Sequence, residues 1–290
     1  MRTSSAPLVG GQSAAAPLRR ALVRPPRPEE LAAWRDYGWR AEPDPVRIAA
    51  EHEAFRAVLA DAGAEVVAGA TPVPGDPDAV YACDPALVTD RGVLLLRPGK
   101  DGRRAEPHAM AADVRAAGVP VLGAMGAPAA AEGGDLLWLD RGTLLVGRSY
   151  RTNDHGIGWL RRTLPGVEVL AFDLPHLRGP GEVLHLLSLI SLLDADLAVG
   201  FLPLLPARLV ALLEVRGIRI VEVPEEELES GGPNVLALAP RVAVMVEGNP
   251  RTRSRLEAAG VNVRTYPAEE LAGKGLGGPT CLVLPLLRAS

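Results

Sequence analysis

One pattern of residue types recurs five times along the chain: an amphipathic helical stretch, a glycine, then a short β-rich run. The helical stretches cover roughly 46–62, 103–116, 152–164, 206–216 and 250–259, and they stop at Gly63, Gly118, Gly166, Gly217 and Gly260. After these come Glu65-Val66-Val67, Val119 to Leu122, Val167 to Leu170, Ile218 to Val221 and Val261-Asn262-Val263. Glycine supplies the left-handed cap that ends a helix. Ahead of most of these helices lies a pair of apolar runs with a turn between them. Leu136–Leu139 and Thr143–Val146 flank Asp140-Arg141-Gly142, and Asn234–Leu238 and Val242–Met245 flank Ala239-Pro240-Arg241. Such spacing reads as a hairpin. The repeating unit is therefore strand–strand–helix–strand, at a period of about 50 residues, and matched periods of that size mark modular rings or arrays. An open α/β sheet accounts for alternating elements but not for five units of similar length. The pattern predicts an α/β protein built as a five-bladed α/β propeller of ββαβ modules with pseudo-five-fold symmetry. Its helices lie outside, and polar residues at the inner strand ends converge on the axis.

Composition narrows the function. The 290 residues are 48% hydrophobic but only 4% aromatic, so the core is aliphatic. A net charge of -4 offers no basic field for nucleic acid. The two cysteines, Cys83 and Cys281, form neither a disulfide framework nor a zinc pattern. The most apolar window, Val183 to Val215, is interrupted by His185, Asp194, Asp196 and Arg208, which argues against a membrane span. The N-terminus lacks the apolar core of a signal peptide, so the cytoplasm is the expected compartment. Residues 1–19, rich in Ser, Ala and Gly, read as a disordered lead-in, with a single domain over 20–290.

Four places put polar side chains in apolar, turn-bounded contexts. Asp78 and Asp84 flank an expected strand Val80-Tyr81-Ala82-Cys83. Glu132-Gly133-Gly134-Asp135 precedes the run Leu136–Leu139. His185 sits inside Val183–Leu187, and Cys281 follows Gly277-Gly278-Pro279-Thr280. Each has a bland reading as turn punctuation, solvated loop, core histidine or small buried hydrophobe. Together, a thiol, an imidazole and carboxylates are the parts needed to attack a planar cationic carbon. The carboxylates hold the cation, the thiolate attacks, and the histidine moves the proton.

With those residues in place, the chain resembles the guanidino-group-modifying enzymes, the amidinotransferase and deiminase superfamily of pentein fold. It is most similar to dimethylarginine dimethylaminohydrolase-like bacterial proteins. The resemblance runs roughly from Ala21 to Arg288. It rests on Asp78 with Val80 to Pro85, Arg97-Pro98-Gly99 with Arg103-Arg104-Ala105-Glu106, and Glu132 to Asp135. Gly147 to Asn153, His185-Leu186 and Thr280-Cys281 complete it. It implies a cysteine-dependent hydrolase of dimethylarginine, arginine or a related guanidine, giving a ureido product through a covalent S-alkylthiouronium. Amidino transfer to an amine, or guanidine binding without catalysis, stay open as alternatives. The implied roles are Cys281 as nucleophile, His185 as general acid/base and Glu132 as its orienting group. Asp84 would bind the guanidinium, and Asp78, Arg103 and Arg151 the amino-acid end. No metal or organic cofactor is implied; the partners would be a small guanidino substrate and possible second copy in a homodimer. Two positions depart from the known subfamilies. Cys83 stands where the dimethylarginine hydrolases carry glutamate, and Leu187 where arginine deiminases carry aspartate.

Overall fold

The structure is a computed structural model that describes residues 7–182 and 184–289. Its fifteen strands form five three-stranded sheets. Four sheets are continuous in the chain: β3 (Ala86–Thr89), β4 (Gly92–Leu95) and β5 (Val121–Ala124); β6 (Leu136–Asp140), β7 (Thr143–Arg148) and β8 (Glu168–Asp173); β9 (Ile190–Asp194), β10 (Leu197–Gly200) and β11 (Arg219–Glu222); β12 (Leu236–Ala239), β13 (Val242–Val246) and β14 (Asn262–Tyr266). In each, the first two strands pair antiparallel and the third joins in parallel.

The fifth sheet closes the ring. β1 (Leu18–Val23) lies between β2 (Glu65–Ala68), parallel to it, and the last strand β15 (Val283–Arg288), antiparallel to it. The chain's end thus supplies the innermost strand of the blade its beginning started. One strand from each blade, β3, β6, β9, β12 and β15, lines an axial cavity of about 110 Å³. The five modules are therefore blades around a centre, as the period predicts.

A one-turn helix, α1 (Pro28–Leu31), follows β1. The five blade helices are α2 (Pro45–Asp61), α3 (Glu106–Ala116), α4 (Asp154–Thr163), α5 (Ala207–Val215) and α6 (Pro250–Ala258). Each lies within three residues of its expected start. The five stop glycines all adopt left-handed backbone, with φ between 69° and 88°, a conformation that costs any residue with a Cβ. The helices pack their apolar sides on the blades. Leu209 and Leu213, one turn apart on α5, are fully buried with Ala198 of β10, the i, i+4 spacing that makes one helical stripe.

Two expectations need correction. The lead-in does not run to residue 19. β1 begins at Leu18, Gly10 donates its N–H to the Leu286 carbonyl at 2.9 Å, and Gly11 approaches Val88 on the cavity wall. The small residues of this segment let its backbone lie against the propeller. Residues 1–6 of the expected lead-in lie outside the described residues, as does Val183 of the apolar run around His185. Val80–Cys83 is also not a strand. Pro77–Val80 forms a 3-10 turn opened by Asp76, whose carboxylate accepts the Asp78 N–H at 3.1 Å. Proline at the first position and the aspartate before it favour that turn over a strand.

Candidate active site

Every blade presents a polar residue just ahead of its inner strand. Asp84 precedes β3, Glu132 precedes β6, His185 precedes β9, Asn234 precedes β12 and Cys281 precedes β15. The pseudo-symmetry carries these five to one end of the axis.

The local turns are built for close approach. Gly133 begins a 3-10 turn, and a Cβ there would lie 2.0 Å from the Cys83 carbonyl oxygen. A Cβ on Gly134 would lie 2.8 Å from His185 Nδ1. The Gly-Gly pair therefore lets Glu132 and His185 meet over the Cys83-Asp84 backbone. His185 Nε2 donates to Glu132 Oε2 at 2.7 Å. Asp135 fixes the histidine's own segment, accepting the Leu186 N–H at 3.1 Å and the Ser149 hydroxyl at 2.6 Å. Asp84 Oδ1 accepts the Gly134 N–H at 2.8 Å. One atom each of Asp84, Glu132 and His185 lies within 4.8 Å of the other two, a donor set that could also surround a cation.

Cys281 is half-buried in a turn where its N–H bonds the Gly278 carbonyl at 3.0 Å. Asn234 holds that turn. Its Oδ1 accepts the Thr280 N–H and hydroxyl at 3.0 and 2.9 Å, and its Nδ2 points at Cys281 Sγ from 3.5 Å. Cys83 is beside it, its N–H bonded to the Cys281 carbonyl at 3.2 Å and its Sγ 3.4 Å from Asp84 Oδ1.

The electrostatics separate the two thiols. The Cys83 S–H, donated toward the Cys281 sulfur, leads the influences that bring the Cys281 thiol down to about 7; burial and Asp84 oppose it, and the His185 charge adds to it. The same contact, with burial and Asp84, pushes Cys83 well up. Burial disfavours a charged His185, but the carboxylates of Asp135, Glu132 and Asp84 outweigh it and raise the imidazole to about 10. Burial works against ionised Glu132 too. The His185 bond, with the charges of His185, Arg103 and Arg151, nonetheless holds it well below the usual carboxylate range. The shifts thus favour a charged imidazole at His185 and an ionised thiol at Cys281.

The remaining expected residues divide. Arg151 donates from Nη1 to Glu132 Oε1 at 3.1 Å. Asp78 has both oxygens occupied, Oδ1 by the Trp39 indole at 2.8 Å and Oδ2 by Lys100 Nζ at 2.7 Å. Arg103 does not stand free to grip a substrate carboxylate. It is 2% exposed, its Nη1 lies 2.7 Å from Asp84 Oδ2, its Nη2 2.9 Å from Glu106 Oε2, and its Nε also meets Glu106. Three buried carboxylates around Arg103 need its charge, and a guanidinium fork satisfies several at once. Asn234, Lys100 and Trp39 were not singled out by sequence reading. Asn234 had a signal, since its place ahead of the fourth continuous blade's inner strand matches those of Asp84, Glu132 and His185.

Fold and site together define the guanidino-group-modifying superfamily. The family model described as arginine deiminase matches residues 73–205 and 202–288, and the chain belongs to that family. The dimethylarginine dimethylaminohydrolase of Pseudomonas aeruginosa PAO1 is 29% identical over 84% of this chain and 90% of its own. The arginine deiminase of Mycobacterium marinum is 34% identical over 54% of this chain, and the match spans 46% of that longer protein. Among solved structures, a mutant Pseudomonas dimethylarginine dimethylaminohydrolase complexed with citrulline superposes with a TM-score of 0.75 at 24% identity, covering 92% of this chain and 99% of the other. The N-terminal domain of ArgZ, an arginine dihydrolase from the ornithine-ammonia cycle in cyanobacteria, gives 0.79 at 21% identity, covering 93% and 97%. These structural likenesses carry the fold. No helix among the described residues is long and apolar enough to cross a membrane.

Proposed function

We propose that the chain is a cysteine-dependent hydrolase that converts a guanidino compound to a ureido product with release of ammonia or an amine. The observation that carries the reading is the convergence of Asp84, Glu132 and His185 within 4.8 Å beside a thiol lowered to about 7. A planar guanidinium needs coplanar acceptors on one side and a nucleophile over its carbon. Asp84 and Glu132 supply acceptors through lone pairs their present bonds leave open. A metal ion would compete there with the Arg103, Arg151 and His185 bonds these groups already make.

Cys281 thiolate attacks the central carbon and forms a C–S bond. His185, charged at the outset, gives its proton to the departing nitrogen as that C–N bond breaks, leaving a covalent S-alkylthiouronium. The now neutral imidazole takes a proton from water as the hydroxyl adds to the same carbon. Collapse expels the thiolate while the adduct's hydroxyl proton passes to solvent, where the released amine or ammonia takes up one proton, and the ureido product is freed. Glu132 keeps the ring in place through both transfers, and Asn234 and the Gly278 carbonyl keep the nucleophile's turn rigid. The roles of Cys281, His185, Glu132 and Asp84 here are those the resemblance implies. For Asp78 and Arg103 we propose a supporting part instead.

The direct test is mass spectrometry of products from a panel of guanidines, with Cys281→Ser as the blank. Conversion to a ureido compound by the wild type alone supports hydrolysis. A product carrying the amidino group on an added amine would replace hydrolysis by transfer.

The same reading predicts a bell-shaped profile of kcat/KM against pH. Activity needs the thiolate and the imidazolium together, so it rises through about 7 and falls through about 10. Cys83→Ala removes the S–H donor and moves the acid limb upward. An unmoved limb in that variant would leave Cys83 as filler alone.

A further inference from the structure

The site's carboxylates are nearly all matched by cations from the chain itself, which restricts what the far end of a substrate can carry. This inference rests on the hydrolase reading and concerns the end of the substrate remote from Cys281. Asp84 and Glu106 share Arg103. Glu132 bonds His185 and Arg151. Asp78, 7% exposed, is closed by Trp39 and Lys100.

The Lys100 ammonium is fully engaged. Its Nζ lies 2.7 Å from Asp78 Oδ2, 2.6 Å from the Tyr37 carbonyl and 4.4 Å from the centre of the Tyr37 ring. An ammonium has three donors, and two oxygens and an aromatic face account for them. Its backbone is tied to the reacting end, because the Gly99 and Lys100 N–H groups point at Glu132 Oε1 from 2.9 and 3.4 Å. Among the described residues of this cluster only Asp76 keeps a carboxylate oxygen without a partner, and it is 1% exposed, so a second positive group on a substrate, an α-ammonium or a terminal amine, meets no accessible free carboxylate. It would have to displace a lysine whose side chain is 20% exposed, or lie beside it as a like charge.

An anionic end fares differently. Arg151 is packed against the same loop, since a Cβ on Gly99 would lie 2.6 Å from the Arg151 Cα. Among the described residues only its Nη1 makes a side-chain hydrogen bond, to Glu132. The other guanidinium N–H groups remain for a carboxylate, the partner that Arg's planar fork suits.

We propose that the preferred substrate is an ω-guanidino carboxylate without an α-amino group, its carboxylate at Arg151, and that Lys100 is the residue that turns away α-amino acids. With 4-guanidinobutyrate, arginine and agmatine as probes, two measurements test this. Calorimetry on Cys281→Ser reads binding without turnover, and steady-state kinetics on the wild type reads kcat/KM. We expect 4-guanidinobutyrate to exceed both others by at least about tenfold in each, the ratio one displaced or repelled charge contributes at about 1.4 kcal/mol. Lys100→Gln, which keeps the stem and removes the charge, should raise kcat/KM for arginine by about tenfold and lower it for 4-guanidinobutyrate. A wild type that binds and converts arginine better than 4-guanidinobutyrate overturns the inference and leaves the hydrolase reading standing. So does a Lys100→Gln variant that folds and shifts all three probes equally. If 4-guanidinobutyrate binds Cys281→Ser selectively but no guanidine is converted by the wild type, the hydrolase reading falls, the substrate assignment falls with it, and only the ligand preference holds. Absence of binding by all three overturns this inference directly.

Discussion

Cys281→Ser is expected to lose essentially all turnover, by about 10⁵- to 10⁶-fold, the scale seen when a nucleophile is removed. The size follows from how this site activates its nucleophile. The thiol needs no base at the moment of attack, because its environment brings it to about 7 and it ionises near neutrality. A serine hydroxyl does need one, and His185 cannot serve. Its carboxylate neighbours hold it protonated up to about 10, with Nε2 donating to Glu132 at 2.7 Å. A serine in this place thus faces an imidazolium that has no capacity to accept its proton. The substitution is nearly isosteric, and the turn stays anchored by Asn234 through Thr280, so thermal unfolding should be unchanged. Alkylation by a small haloacetamidine supplies an independent reading. Partly buried Cys281, brought down to about 7, should react far faster than buried Cys83, whose thiol is pushed well up. A Cys281→Ser enzyme within about tenfold of the wild type, or equal labelling of both thiols, would remove Cys281 from the mechanism.

The propeller was legible because its punctuation is local. A helix that ends on glycine and is followed by a β-rich run declares its own boundary, and the five glycines do adopt the left-handed cap. Convergence of Asp84, Glu132, His185 and Cys281 follows from that repeat once it is closed into a ring. What stayed hidden depends on contacts between blades. The chain's last strand completing the first blade cannot be read from either segment alone, because β15 and β1 lie at opposite ends of the sequence. Lys100 looks like any loop lysine until Tyr37, Trp39 and Asp78 are brought around it. The lead-in was misjudged for a related reason. Its Gly and Ala residues are compositionally those of a disordered tail, yet their smallness lets Gly10 and Gly11 pack on β15 and β3.

Arg103 is where the resemblance and the geometry part, and its replacement is expected to have the largest effect on stability. The resemblance implies a grip on a substrate carboxylate. The structure instead buries the guanidinium among Asp84, Glu106 and the Asp78 carbonyl. Removing one partner of a buried ion pair leaves uncompensated charge and costs about 3–5 kcal/mol. That is a large share of the roughly 5–15 kcal/mol that holds a domain folded. Arg103→Met should therefore lower the denaturation midpoint sharply, whatever substrate is present, and Arg103→Lys should recover only part of it because a single ammonium cannot reproduce the fork. The pH dependence gives a second check. Burial already raises Glu106 above its usual value in the intact protein, and without the opposing charge of Arg103 it rises further. A group whose folded pKa exceeds its unfolded value contributes stability in acid, and that contribution is lost as pH rises through the folded value. The deficit of Arg103→Met should accordingly be smallest in mild acid and grow toward neutrality. If the variant unfolds at the wild-type midpoint and changes only KM, Arg103 serves the substrate and not the fold.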